Sequence, residues 1–471
     1  MTNNKKIELD EIGEEALEIM INTSISMFLT GNGGTGKTFL INHFLNENNK
    51  LSEKKQKKVQ MLATTGAAAQ LYEFGETYHS FFRIFGEKLG SVNKEQKDVM
   101  KYFDTYIIDE ASMISASQFD LINRRLQQVT GVHNKLFGGK QIIFVGHLFQ
   151  ASPVVTQQTK DEYEEHYHKK YDDVYKSIFF FDAISFDTNY FKIIELKKTH
   201  RTTDIKLQTY LKNLMLGENL NAVCSYFNKN FKEQKDINYD KAIYIANTNS
   251  KVDKYNTLKL AQLKADGQQI YTSTATYFNW DKDNYGNITK EPSPLEIKYA
   301  VGSRIIFNKN TDMFKNGTMG TIINISTIHD YLNNKELDCV EVLLDGKTIP
   351  LKIIKETWNK YETLIVGQDE DGEDILEHQI IGNYIQFPFQ LGWALTGHKS
   401  QGKTFDNIIV DIGLVSYKEG NEWKKKPQNH IVYVALSRAT SYEGIQIVQK
   451  LKPEFIAVDK DVKNICKKLI K

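Results

Sequence analysis

Met27-Phe28-Leu29-Thr30-Gly31-Asn32-Gly33-Gly34-Thr35-Gly36-Lys37-Thr38 is an apolar run, a glycine-rich turn and a Lys-Thr pair that opens an amphipathic segment. It predicts a strand, a phosphate loop and a helix. Gly31 and Gly36 fall at the spacing G-x-x-x-x-G-K-[ST], in which backbone N–H groups close around phosphate oxygens at a helix N-terminus. In that pattern Gly33, Gly34, Thr35 and Gly36 cradle a nucleotide, Lys37 reaches its β and γ phosphates, and the Thr38 hydroxyl binds Mg²⁺. An ordinary glycine turn has no need of the β-type run before it or of the helical spacing Phe39, Leu40, Phe44, Leu45 after it.

Outward from the loop, Ile12, Ala16, Ile19 and Met20 have the spacing of an amphipathic helix leading into the first strand. The lysine-rich stretch 50–58 reads as a solvated connection. Val59-Gln60-Met61-Leu62-Ala63 reads as a second strand, and the small residues of Thr64-Thr65-Gly66-Ala67-Ala68-Ala69 allow a close backbone approach where a helix begins. Residues 72–100 interrupt the rhythm with aromatics and charges. Phe103 to Ile108 ends in Asp109-Glu110, and Gln141 to Val145 ends in Gly146-His147. Strands alternating with helices, with polar residues gathered at the strand ends, predict an open parallel sheet that binds its ligand at the carboxyl edge.

A similar rhythm resumes after the charged segment 157–176, with strand-like Phe191 to Leu196 and Ala242 to Ala246, helix-like 204–216 and a helix from Ser250. Between about 296 and 390 the texture turns to short β-type runs broken by Gly and Asn-Gly, the pattern of a small barrel. Strand-like Ile408 to Val410 and Val432 to Leu436 then restore the α/β pattern, so the barrel reads as an insertion in the second α/β domain.

The 471 residues, 41% apolar and 25% charged, have the composition of an ordinary folded protein of several domains. Cys224, Cys339 and Cys466 stand far apart without a C-x-x-C pair, which suggests neither a zinc site nor a disulfide framework and fits a reducing compartment. Met1-Thr2-Asn3-Asn4-Lys5-Lys6 carries no apolar core of a secretory signal, and no run reaches the length of a membrane span. A net charge of +1 leaves any polyanion contact to a local groove. Richness in Lys, Asn and Ile suggests an AT-rich genome, hence the cytoplasm of a bacterial or phage-infected cell.

Asp109 and Glu110 supply what the phosphate loop lacks. One carboxylate can hold Mg²⁺ through its water shell, and the second can orient or deprotonate an attacking water. Gln150, just past another strand, places an amide where it can touch the γ-phosphate and that water. Arg201 and Arg438 each follow a strand-like run of the second α/β region, and guanidinium groups supplied from a facing domain stabilise charge on a transferred phosphoryl. Taken singly, acid pairs at strand ends are common, Gln150 could be a solvated loop amide, and each arginine is more often a surface residue.

Together with the phosphate loop, Ala63 to Ala69, Thr77-Tyr78-His79-Ser80-Phe81-Phe82, Ile108 to Ile114, Gly146 to Pro153, Thr199-His200-Arg201, Thr396-Gly397-His398-Lys399-Ser400-Gln401-Gly402-Lys403-Thr404 and Val432 to Ala439 resemble, in order, the motifs of superfamily-one subclass B DNA helicases. The similarity is greatest to the Pif-one and RecD-like group, and Ser112-Met113-Ile114 with Phe119, Ile122 and Leu126 resembles the stretch that marks the Pif-one branch. The resemblance implies an α/β fold with two RecA-like P-loop NTPase motor domains and a small inserted SH3-like β-barrel. Its implied boundaries are a first motor domain over 1–190 with a wedge insertion near 72–101, a second over 191–295 and 391–471, and the barrel over 296–390.

The same resemblance implies ATP and Mg²⁺ as cofactors, and 5′-to-3′ movement of a monomeric motor on single-stranded and forked DNA, beside other replication or recombination proteins and away from membranes. It assigns Lys37, Thr38, Asp109, Glu110, Gln150, Arg201, Gly402 and Arg438 to the ATP site. Thr65, His79, His398, Lys399 and Ser400 fall in the strand-binding groove, where hydroxyls, imidazoles and a lysine suit a phosphate track. Phe81 and Phe82 are candidates to stack bases. Two departures stand out: His147 replaces the usual Asp of the Gly-Asp-x-x-Gln segment, and Gly13-Glu14-Glu15 stands where the family has a helix glutamine.

A phosphate-loop kinase would be a single compact domain with a lid, and it leaves His398 to Gly402 unexplained. A nucleic-acid-stimulated ATPase switch differs from a helicase only in strand separation. An RNA helicase of the same superfamily differs in which strand stimulates the ATPase.

Overall fold

Six strands, every neighbouring pair of them parallel, build the sheet that carries the phosphate loop, in the spatial order Glu76–Thr77, Val59–Ala63, Thr105–Asp109, Gln141–Val145, Ser26–Gly31, Phe191–Leu196. This is the computed structural model of the chain, and it describes residues 9–69, 72, 74–231, 237–282, 286, 288–289, 291–331, 333–369, 372–419 and 422–469. The stretch Met1 to Lys6 lies outside the described residues. The chain divides into two units, the first being Met1–Arg201 with Leu364–Glu377 and Val458–Lys471, and the second Thr202–Thr363 with His378–Ala457.

The central strands of the first sheet are buried along their whole length, as the unbroken apolar runs require of a parallel sheet covered on both faces. On one face Met27 and Leu29 of the phosphate-loop strand pack with Ala16, Met20, Leu40, Ile41 and Phe44 from the flanking helices Glu11–Asn22 and Lys37–Asn48. On the other face Phe119, Phe144, Phe180 and Phe191 form an aromatic cluster. Helix Ala116–Thr130 supplies Phe119; the Ser115 hydroxyl caps its first turn and left-handed Gly131 (φ 74) ends it.

One boundary differs from expectation. Phe191–Leu196 is a strand, but it pairs in parallel with the phosphate-loop strand, Ser26 beside Phe191 through Gly31 beside Leu196. The first unit therefore runs to Arg201, not to 190, and helix Lys460–Leu469 also belongs to it. An apolar run reveals strand type and not its pairing partner. The segment near 72–101 holds a small hairpin, Ile84–Phe85 with Lys88–Leu89. Arg125 anchors it from below by donating to the carbonyls of Phe82 and Gly90.

Lys57, read in the sequence as part of a solvated loop, is a tie at the amino edge of the sheet. Its ammonium donates to the carbonyl oxygens of Met20 (2.6 Å) and Thr23 and to Gln141 Oε1 (2.7 Å), while the Gln141 amide donates to Ile19 and Ile25. Burial lowers the Lys57 ammonium to about 8, opposed by Asp104. Lys57→Met keeps the stem and removes the three donors. It should destabilise the first unit by about 1–3 kcal/mol, the usual cost of stranding buried acceptors, seen as a lowered thermal midpoint; an unchanged melt would make the tie dispensable.

The second unit contains a four-stranded parallel sheet, Ala394–Thr396, Ile243–Ala246, Ile408–Asp411, Ile445–Ile447. Val432 to Leu436, expected as a strand, is the helix Ile431–Leu436 with every residue buried. A short apolar run buried on all sides offers no periodic contrast between helix and strand. The β-rich insertion is antiparallel and starts earlier than expected, at Tyr271–Thr274. Its five-stranded sheet closes over Ile305, Phe307, Ile322, Val340, Val342, Phe387 and Phe389. Among the described residues no helix is long and apolar enough to cross a membrane.

Candidate nucleotide and strand-binding sites

In the first sheet the ends of four neighbouring strands bring together the phosphate loop, Asp109-Glu110, Gly146–Gln150 and Thr199–Arg201. The loop leaves the buried strand at Gly31 and turns through left-handed backbone at Gly34 (φ 83) and Gly36 (φ 89) before helix Lys37–Asn48. A Cβ at Gly31 would lie 2.6 Å from the Leu196 carbonyl, and one at Gly34 would lie 2.7 Å from Arg201 Cβ, so both glycines are needed for close approach. Buried Thr35 braces the loop by donating its hydroxyl to Asn32 O at 2.9 Å. Gly33 and Gly36 are half-buried, and Thr38 is exposed on the first helical turn. Lys37 Nζ lies back on the loop, 2.7 Å from Gly31 O and 3.2 Å from Asn32 O.

Asp109 ends its strand with both oxygens engaged: Oδ1 accepts from Glu110 N at 2.8 Å and Oδ2 from the Tyr72 hydroxyl at 2.7 Å. Burial, and next the Asp109 charge, push the Tyr72 phenol well above its ordinary value, so it remains a donor. No spacing in the sequence singled out Tyr72. Glu110 takes a left-handed backbone (φ 55), uncommon for a side-chain-bearing residue, at the first position beyond the strand. Thr64 donates its N–H to Asp109 O and its hydroxyl to Glu110 O, which ties the Thr64-Thr65 turn to the carboxylate pair.

Gly146 is packed so tightly that an added Cβ would stand 3.0 Å from Ser112 N, and Gly146 N donates to Leu29 O. Behind it His147 and Gln150 are buried, with Gln150 N donating to His147 O. Arg201 was expected in the second α/β domain; the structure puts it in the first unit, beside the phosphate loop. His200 N donates to Gly34 O at 2.8 Å, because the strand before it pairs with the phosphate-loop strand.

Mg²⁺ fits the donors present, an exposed hydroxyl at Thr38 and a carboxylate at Asp109. Such an ion takes one or two protein oxygens and leaves the rest of its shell to phosphates and water. Among the described residues no group of three or more His, Cys, Asp and Glu could hold a metal by itself.

Of the strand-binding candidates, Thr65 starts the short helix Gly66–Ala69, where its hydroxyl accepts from Ala68 N, and the His79 ring lies tilted against that of Tyr78 at 3.9 Å between ring centroids. Phe81 does not stand as a stacking platform. It is 7% exposed, with its ring against Phe82, Phe103 and Tyr106, and Phe82 is fully buried. The aromatics of that motif are core.

In the second unit His398 and Lys399 are exposed on the loop after Ala394–Thr396, which is fixed by Gly397 N donating to Ala246 O. Ser400 is a brace and not a contact surface: it is fully buried and donates to Gly397 O at 2.7 Å. Gly402 takes the left-handed turn that follows (φ 73). Arg438 is fully buried, with Nε donating to Val434 O, Nη2 to Ser437 Oγ and Nη1 to Ser400 O at 3.5 Å. The guanidinium therefore touches the same loop that displays His398 and Lys399.

Residues 1–213 match the family described as PIF1-like helicase. The chain is 27% identical over 452 residues to the ATP-dependent DNA helicase Pif1 of Campylobacter jejuni, covering 91% of this chain and 90% of that one. In three dimensions it is similar to Pif1 from Bacteroides sp in complex with ADP-AlF4, with a TM-score of 0.77 at 26% identity, covering 98% of this chain and 97% of the other. A second Bacteroides Pif1 structure, with ADP-AlF3 and single-stranded DNA, gives 0.64 at 27% identity over 98% of each chain.

Proposed function

We infer that this chain is a PIF1-like helicase, an ATP-dependent enzyme that moves 5′ to 3′ on single-stranded DNA and separates the strands of duplex DNA. The observation that carries this reading is the meeting of Lys37, Asp109, Glu110, Gln150 and Arg201 at one sheet edge of the first unit. The strand-track loop and Arg438 share one loop contact in the second.

In this reading the amides of Gly33 to Lys37 hold the phosphates, and Lys37 exchanges its contacts with Gly31 and Asn32 for phosphate oxygens. Thr38 and Asp109 would hold Mg²⁺, which would supply positive charge against the phosphates. Glu110 accepts the proton of the attacking water, Gln150 orients that water, and Arg201 meets the charge that develops on the γ-phosphate. Within the first unit one contact couples this chemistry to the strand, the Thr64 hydroxyl on Glu110 O beside Thr65; within the second, Arg438 donates to Ser400 O beside Lys399. The motor works as a monomer, in the cytoplasm of a bacterial or phage-infected cell.

ATPase rate with matched DNA and RNA oligomers tests the substrate. DNA should stimulate turnover far more than RNA, and equal stimulation would favour an RNA helicase. Strand affinity should fall with rising salt despite the near-neutral chain, and Lys399→Ala should flatten the slope of log affinity against log salt by up to about one unit. An unchanged slope would remove Lys399 from the phosphate track.

A further inference from the structure

Between the strand Ile408–Asp411 and the arginine-bearing helix Ile431–Leu436 the chain makes an excursion that no motif above accounts for. It is the two-stranded antiparallel ribbon Val415–Glu419 with Glu422–Lys426, which among the described residues pairs with no other strand. Such a ribbon is marginal in isolation, yet its root is firm. Asn247 Nδ2 donates to Gly413 O at 2.9 Å, Asp411 receives Lys251 at 2.9 Å, and His430 N donates to Ala457 O on the return. Asn247 directly follows Ala246, whose carbonyl holds the His398–Lys399 loop through Gly397 N. Ribbon and strand-track loop thus spring from the same carboxyl edge of one parallel sheet.

The second strand of the ribbon reads Glu422-Trp423-Lys424-Lys425-Lys426 and is exposed throughout. Trp423 is 73% exposed, whereas Trp358 and Trp393 are 6% and 8% exposed. Strand alternation puts Trp423 and Lys425 on one face, about 7 Å apart, and Lys418 is the cross-strand partner of Trp423. On the other face Lys426 Nζ lies 4.6 Å from the centre of the Tyr417 ring, which stiffens the ribbon. An exposed indole with Lys425 on the same face, on a rooted ribbon that shares its sheet edge with the strand-track loop, is the combination that single-stranded nucleic acid recognises: a π face for a base and an ammonium group for a phosphate.

We propose that this ribbon is an accessory single-stranded DNA site, in which Trp423 stacks on a base and Lys425 meets the adjoining phosphate. The site rests on the reading of the chain as a DNA helicase. It extends the strand path of the second unit beyond the His398–Lys399 loop and connects it, through Pro427–His430, to the helix that precedes Arg438.

The test follows tryptophan emission of the full chain while a single-stranded oligonucleotide is titrated in, with binding followed independently by anisotropy of a labelled strand. The chain has four tryptophans, so the difference between wild type and Trp423→Phe isolates the ribbon. The expected result is quenching by single strands that is lost in Trp423→Phe. Trp423→Ala should weaken strand affinity about tenfold, within the range for stacking on one base, and Lys425→Ala should flatten the salt slope by up to about one unit. Binding without a Trp423-dependent quench, with both variants unchanged, would overturn the proposal and leave the helicase reading standing. Equal quenching by a blunt duplex would also overturn it, by assigning the ribbon to duplex DNA. Failure of the wild type to bind any strand would instead remove the helicase reading.

Discussion

Glu110→Gln should bind ATP and Mg²⁺ close to normally and hydrolyse ATP about 10²–10⁴-fold more slowly, the usual loss when a positioned general base is removed. The amide keeps the shape of the side chain and loses the proton acceptor. The geometry fits that role: Asp109 has both oxygens engaged, by Glu110 N and the Tyr72 hydroxyl, so its carboxylate is held in place. Glu110 stands one residue beyond the strand in a left-handed turn (φ 55), a conformation that separates its side chain from the strand's alternation. Steady-state turnover beside fluorescent-nucleotide binding checks this. Lost affinity with preserved turnover would exchange the roles of the two carboxylates.

Arg438→Ala should lower DNA-stimulated turnover by roughly a thousandfold, the low end of what an arginine finger contributes, although Arg438 belongs to the second unit and Lys37 and Glu110 to the first. Arg201 cannot make this point, since it adjoins Gly34 within the first unit and its loss reports on the local site alone. Because Arg438 is fully buried, the variant is checked by its melting curve and by retained strand binding. Arg438→Lys should rescue poorly, as a point charge does not replace the planar fork that spans Val434 O and Ser437 Oγ. Near-normal turnover in a folded Arg438→Ala protein would reject a motor in which the two units share one catalytic cycle.

The phosphate loop, the acidic pair and the order of the strands around them were legible because each couples a local spacing to an apolar run of the right length. Pairing was not legible. Phe191–Leu196 reads as a strand of either sheet, and only its register against Ser26–Gly31 puts Arg201 beside the phosphate loop. Burial was equally hidden where polar and aromatic residues serve the scaffold. Ser400 and Phe81 carry motif chemistry in the sequence yet are fully or nearly fully buried, and Lys57 sits in a lysine-rich run yet ties three oxygens at the base of the sheet. Tyr72 shares its stretch with several other aromatics, and only the fold brings its hydroxyl to Asp109.

In the proposed mechanism, hydrolysis at the first unit drives directional strand separation. Its most direct test is an unwinding assay comparing duplexes with a 5′ single-stranded tail and with a 3′ tail, in ATP and Mg²⁺, with Glu110→Gln as the hydrolysis-deficient control. Wild type should separate the 5′-tailed duplex and little of the 3′-tailed one, and Glu110→Gln should separate neither. ATP hydrolysis stimulated by DNA without separation of either duplex would contradict this mechanism.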